Sequence, residues 1–475
     1  MAYRYGDREQ IQLFPASVDD YIPNNAPVRA YDAFVESLDL ETLGIAYDPN
    51  AVGNSKYDPK AMLKLLVYGY SYGVRSSRKL EREAHYNLSF IWLLGGLKPD
   101  HKTIAEFRKN NKPALKNILL QCAKLCLKLD LITGNTLFVD GTKIRANAAI
   151  KNTWTKEKCA KVLTKVEQRI AEILRECETV DQQEASQPSL VKLNEELADR
   201  EILKAKVREI LSELEESQEK SLNTVDSECT RINSIQGSHA GYNGQMVVDE
   251  KHGLIVSSDV VSENNDLNQF AIQIEAANKV LGQKCETAVA DSGYATTDEL
   301  KKIADQGIKV IVPSQRQAAN REISEFAKEK FSYDAAKDCY VCPAGQELKY
   351  SGEEDRALLY RAGGKVCGSC INFGKCTKSK QGRQISRLKN EEERERLEAE
   401  YLRSESQAIY KLRQQKVELP FGHIKRNLGM NSFLLRGVEG AKAELSLLSS
   451  CFNISRLITL LGVERMREKL GLVPV

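Results

Sequence analysis

Hydrophobic positions change their spacing along the chain, and each change marks a different kind of structure. From Pro59 to Gly73 the apolar residues Met62, Leu63, Leu65, Leu66 and Val67 crowd together as in a buried helix. Ser76-Ser77 precedes a second helical pattern through Arg78, Leu80 and Glu83. Thr103-Ile104-Ala105-Glu106 has capping-box spacing and predicts a helix with Phe107 inward and Arg108 and Lys109 outward. Pro113 to Asp130 reads as one more amphipathic helix, so residues 1–132 form a helical domain.

Strands come next. Leu137–Ile144 reads as a strand, and 155–222 as two long charged helices broken near Ser186-Gln187-Pro188. Gly244–Val248 and Leu254–Val261 read as strands around the turn Asp249–Gly253. Helices are predicted over 266–280 and 296–305, the second opened by the box Thr296-x-x-Glu299. Strands are predicted over 286–291 and 308–312. Residues 133–313 thus run β, helical insertion, β, β, α, β, α, β. A Cys- and Gly-rich insertion fills 314–389, and 390–475 is helical, with a kink at Pro420 and an apolar final helix over 440–462.

The 475 residues, 42% hydrophobic and 28% charged, suffice for more than one domain. The polar start Met1–Asp7 does not read as a signal peptide, and no uncharged apolar run reaches membrane-spanning length. A net charge of +3 does not by itself argue for nucleic acid, so local clustering has to. Of the twelve cysteines, Cys339, Cys342, Cys367, Cys370 and Cys376 cluster, which reads as a metal site, with redox disulfides as the alternative.

Three acids stand out. Asp140 closes the apolar run Leu137-Phe138-Val139, and Asp291 closes Ala288-Val289-Ala290. Glu418 stands alone among Lys411, Arg413, Lys416, Lys425, Arg426 and Arg436. Carboxylates at strand ends with a third on a packed helix can converge on metal ions, while the cations hold phosphates. The strand order with acids at these places is that of a ribonuclease-H-like core. The bland alternative is that Asp140-Gly141 and Asp291-Ser292-Gly293 are turns at strand ends.

The chain resembles the DDE transposases of bacterial insertion sequences, in particular the IS eleven-eighty-two type. The resemblance lies in Arg78-Lys79-Leu80-Glu81, Trp92–Gly96, Pro99–Ile104, Phe138–Ile144, Gly241–Gln245 and Ala290–Tyr294. It continues in Tyr410-x-x-Arg413, Val417-Glu418 and Phe421-Gly422-x-Ile424-Lys425. It implies an α/β fold, an RNase H-like mixed-sheet catalytic core beside an N-terminal helical DNA-binding domain. It implies cleavage at the ends of a mobile element, which frees a 3′-OH, and joining of that hydroxyl to target DNA. Asp140, Asp291 and Glu418 would be the catalytic ligands of two Mg²⁺ or Mn²⁺ ions. Arg413 and Lys425, either side of Glu418, would contact the DNA backbone. Tyr410 reads equally as packing, and His239, Asn243 and His423 as turn or surface residues.

Terminal inverted repeats and target DNA are the expected partners, with a homodimer in the synaptic complex, no membrane, and a cytoplasmic, nucleoid-associated setting. Lys102, Arg108 and Lys109 are the candidate DNA contacts of the helical domain. Four thiolates suffice for structural zinc: Cys342, Cys367, Cys370 and Cys376, with Cys339 able to replace Cys376. The insertion looks core-poor, so zinc would supply its order. A nuclease without strand transfer and a non-catalytic DNA-binding protein are the competing readings.

Overall fold

The computed structural model describes residues 17–45, 56–182, 187–217, 220–234, 237–319, 324–355 and 357–472. It is a mixed α/β protein that divides into two compact units. The first comprises residues 1–266, 275–284 and 415–475, and the second 267–274 and 285–414.

The first unit is built around the helix Val438–Leu461. Its middle is buried from Ala443 to Ile454. It packs on the helices Pro59–Ser71 and Lys112–Lys128 and on the strand Ile255–Val261. Length and mean hydropathy of 1.2 would let it cross a membrane, but 67% of its most apolar window is buried in the protein, as in a core helix. It is not the last helix, because Val463–Leu472 follows.

Polar side chains fasten this core. Arg75 is buried and its Nη2 lies 2.7 Å from Glu444, itself 1% exposed. Arg75 also donates to the carbonyls of Gly429 and Ser432. Glu444 accepts from the Leu434 and Leu435 amides with its other oxygen. A buried pair this well hydrogen-bonded strongly resists loss of either partner.

The sheet of this unit has Gly237–Asp249 at its centre. One edge pairs antiparallel with Thr136–Arg145; the other pairs with Thr230–Ser234 and then Ile255–Val261. The central strand begins seven residues before the predicted Gly244, so His239 and Asn243 lie within the ladder and not in a turn. Thr230–Ser234 was not predicted. The charged insertion forms two helices, Lys156–Gln182 and Gln187–Glu216, joined along Cys159, Val166, Val207, Ile210 and Leu214. The expected break at Ser186 lies outside the described residues.

In the second unit Thr287–Val289 and Lys309–Ile311 pair in parallel, with Thr297–Ala304 and Glu391–Leu402 packed against the latter strand. Thr296 caps its helix, but its side chain makes no capping bond.

The Cys-rich insertion is not core-poor. It folds as a five-stranded antiparallel meander running in order from Ser332–Asp334 to Gln384–Leu388. Phe331, Tyr340, Leu348, Tyr360, Ala362 and Ile385 form its own core. Tyr333, Tyr340 and Tyr360 pack ring against ring, 5.1–5.9 Å between centroids. A few large aromatic rings here do the work of many aliphatic side chains.

Candidate active site

Asp140 sits inside the strand Thr136–Arg145, opposite Met246, and not at its end. The Asp140-Gly141 turn reading is therefore wrong. Alternation puts Asp140, Thr142 and Ile144 on one face and Gly141 and Lys143 on the other. A Cβ placed on Gly244, which pairs with Thr142, would lie 2.9 Å from Ile144 Cδ1 and 3.3 Å from Leu445 Cδ2. Asp140 thus belongs to the face that Val438–Leu461 covers.

Lys425 reaches the same face. Its ammonium donates to Thr142 Oγ1. Burial pushes its pKa below the ordinary lysine value, and the negative charge of Asp140 opposes that shift. Lys425 lies near the end of the helix Ser404–Arg426, which runs through Pro420 without a break. Pro420 has no N–H, so the Lys416 carbonyl loses its helical donor at that turn. Glu418 is exposed, seven residues before Lys425. Seven residues are two turns, so the two side chains share a helix face about 10.5 Å apart along the axis. His423 instead packs edge-on against Phe452, 5.5 Å between rings, and burial lowers its pKa.

The opposite face carries a polar strut that the sequence reading passed over. Asn243 and Gln245, both fully buried, each donate to Asp266 Oδ1 at 2.7 Å. Lys143 Nζ lies 3.9 Å from the same oxygen, its pKa lowered by burial and raised by Asp266. Only Lys143 of this strut belongs to the strand that carries Asp140; Asn243 and Gln245 belong to the strand paired with it.

In the second unit, Asp291 follows the strand Thr287–Val289 and caps a short helical turn. Its Oδ1 accepts from the Gly293 amide at 2.8 Å, the local bond of an Asx turn. Its Oδ2 lies 3.2 Å from Arg413 Nη2. Arg413 is 15% exposed, so it holds a carboxylate where the sequence reading offered it to phosphate. Tyr410 packs edge-on against Tyr401, 5.1 Å between rings.

The N-terminal cations separate. Lys102 and Lys109 are exposed on the helix His101–Asn110. Arg108 is buried and donates to Tyr70 Oη and to the Arg75 carbonyl, both at 2.8 Å. It points into the protein, opposite to the outward placement expected. The helix also begins before Thr103: Asp100 is its cap and accepts from the Thr103 amide at 2.8 Å.

Cys342, Cys367, Cys370 and Cys376 line one cavity in the second unit. Burial raises the Cys376 pKa, and the charges of the other three push it the same way. The Gln346 amide donates to Cys342 Sγ and the Arg383 amide to Cys367 Sγ, both at 3.3 Å. Cys339 lines a different pocket with Lys337, Glu347 and Lys349. Among the described residues, no three His, Cys, Asp or Glu side chains are gathered at metal-binding spacing.

The chain matches the Transposase domain family (DUF772) over residues 16–110 and the Transposase DDE domain family over residues 341–458. No curated protein matches it. Among solved structures it is similar to a piggyBac transposase in a cryo-EM synaptic complex with hairpin DNA. That likeness has 10% identity over 94% of this chain and 79% of the other, with a TM-score of 0.35, too low to carry an argument. The second family match contains Arg413, Glu418 and Lys425, the first contains Lys102 and Lys109, and the one sequence thus matches two transposase domain families, the later of them a transposase DDE domain.

Proposed function

We propose that the protein binds the terminal inverted repeats of an insertion sequence, cuts DNA at their ends and joins the freed 3′-OH ends to target DNA. An RNase H-like core, with Asp140, Asp291 and Glu418 as oxygen ligands for two Mg²⁺ or Mn²⁺ ions, is part of this reading. The observation that carries it is the grouping of Asp140, Thr142 and Lys425 on one face of a strand inside a transposase. A half-buried ammonium held beside a carboxylate by a threonine suits a phosphodiester, whose oxygens then meet a fixed positive charge. Asp291 is oriented by the Gly293 amide and by Arg413, so its carboxylate keeps one direction.

When bound, the metal ions would lower the pKa of an attacking hydroxyl and offset charge on the phosphate. The donor set suits such ions, because carboxylate oxygens that leave room for water and phosphate are what Mg²⁺ accepts. Asp140→Ala, Asp291→Ala and Glu418→Ala should each abolish Mg²⁺- or Mn²⁺-dependent cleavage of a terminal-repeat duplex while binding persists. Near-normal cleavage by any one variant removes that residue from the site. Strand transfer from pre-cleaved ends separates this reading from a plain nuclease.

The insertion is proposed to hold one structural zinc on Cys342, Cys367, Cys370 and Cys376. Support comes from their common cavity and from the two amides aimed at sulfur, which stabilise thiolates. Cys339, in its other pocket, is the weaker candidate for the fourth ligand. A homodimer is proposed for the DNA-joined state.

A further inference from the structure

The segment from Arg356 to Asn390 contains no Asp or Glu, although acids are frequent on either side. Within it Lys365, Lys375, Lys378 and Lys380 are exposed, and none has an ion-pair partner among the described residues. Other cations of the insertion are committed to the fold. Arg383 donates to the Phe326 carbonyl and Arg387 lies 3.9 Å over the Tyr333 ring.

Between these lysines the chain makes a tight tip. The Phe373 amide bonds to the Cys370 carbonyl, the Cys376 amide to Asn372 and the Gly374 amide to Thr377, all at 2.9 Å. The base of the tip is pinned backbone to backbone. A Cβ on Gly364 would lie 2.3 Å from the Lys380 carbonyl oxygen, and one on Gly382 2.2 Å from that of Ala362.

Ile371 stands at the tip and is 94% exposed. Val366 and Phe373 line the cysteine cavity yet remain 42% and 41% exposed. Single exposed apolar residues are ordinary on protein surfaces. Three within eight positions, on a braced tip flanked in sequence by exposed lysines without an ion-pair partner among the described residues, are not.

We propose that this tip docks on duplex DNA, with Ile371 pressed against base edges in the minor groove and the four lysines along the flanking phosphates. This deepens the transposase reading and rests on it for the biological DNA, but the surface chemistry requires only a duplex. A polyanion matches the uniform charge, which an acidic protein partner would match less well around an apolar point. An apolar wedge can partly unstack a base step and bend the duplex, while the lysines set affinity and salt dependence. The braced backbone means little ordering is lost when the tip meets DNA.

The test uses the full-length protein with two duplexes, one random and one carrying the terminal repeat, each containing 2-aminopurine. Lys375→Glu/Lys378→Glu/Lys380→Glu should weaken binding to both duplexes at least tenfold. It should also reduce the slope of log affinity against log salt by about 2–3. Ile371→Ala should keep affinity within about threefold but remove the fluorescence rise that reports unstacking. Wild-type affinity, salt slope and fluorescence in both variants would overturn the proposal. So would a change in molecular mass by light scattering with DNA binding intact, which would make the tip a surface for a second copy. Failure of wild type to prefer the terminal repeat counts against the proposed function alone, because the random duplex still reads the tip.

Discussion

Lys425 connects the chemistry of the proposed site to a quantity that can be measured without DNA. Burial lowers its pKa and Asp140 raises it, so removing the negative charge should lower it further. In Asp140→Asn a larger fraction of Lys425 is then neutral amine near pH 9. Acylation followed by mass spectrometry should find Lys425 modified several-fold faster in the variant. An unchanged or slower rate would mean that the two charges do not interact. The Arg75–Glu444 pair provides a second measurement at this scale. Arg75→Leu leaves Glu444 buried without its cation and should destabilise the protein by about 3–5 kcal/mol in denaturant unfolding. Glu444→Gln retains an acceptor for the Leu434 amide and should cost less than Glu444→Ala. Residue types pointed to the acids and cysteines as candidates because few side chains offer carboxylate or thiolate ligands. Arg108 was misread for a definable reason. It lies four residues after the buried Ile104, hence on the inward face, yet a bare arginine reads as solvent-facing. Nothing local marks Arg75 and Glu444 as partners, since they stand 369 positions apart.

Among elements, long helices with strong apolar spacing were legible, including Pro59–Ser71, Lys112–Lys128 and Val438–Leu461. Short strands of the insertion were not. Glu347–Glu354 reads ELKYSGEE, a polar run that becomes a strand because its neighbours pair with it and Leu348 is buried. That sheet changes what zinc is expected to do. Its aromatic core supplies order on its own, so the proposed zinc would add to the backbone bracing of the part between Gly363 and Arg383 and contribute little to the sheet. The purified protein should carry about one tightly held zinc, and Cys370→Ser should lower that content while Cys122→Ser should not. Chelation should speed hydrogen exchange in residues 363–383 and leave strands 347–354 and 357–361 protected. Collapse of the whole sheet on chelation, or disulfides among these cysteines after reducing purification, would contradict the assignment.

For the molecule as a whole, the first compact unit is discontinuous. Its N-terminal helices and its sheet are completed by residues 415–475. A chain ending at Gly437 lacks the helix on which Pro59–Ser71, Lys112–Lys128 and Ile255–Val261 pack. Such a truncation should be largely insoluble, or should lack a cooperative melting transition in calorimetry. A soluble, cooperatively melting fragment would show that the helix is dispensable. For the same reason, residues 1–130 expressed alone would expose the apolar face that this helix covers, so repeat recognition is better tested in the complete chain.

That late helix also sets a timetable. On the ribosome the chain emerges from its N-terminus at about 5–20 residues per second. Residues 17–266 are therefore made well before Val438–Leu461 exists. The Asp140 strand can pair with its neighbours during that interval, but the face bearing Asp140 stays uncovered until Val438–Leu461 has been made. Any product that stops short of Val438 would therefore leave the face bearing Asp140 unpacked, whatever part of the sheet had already formed.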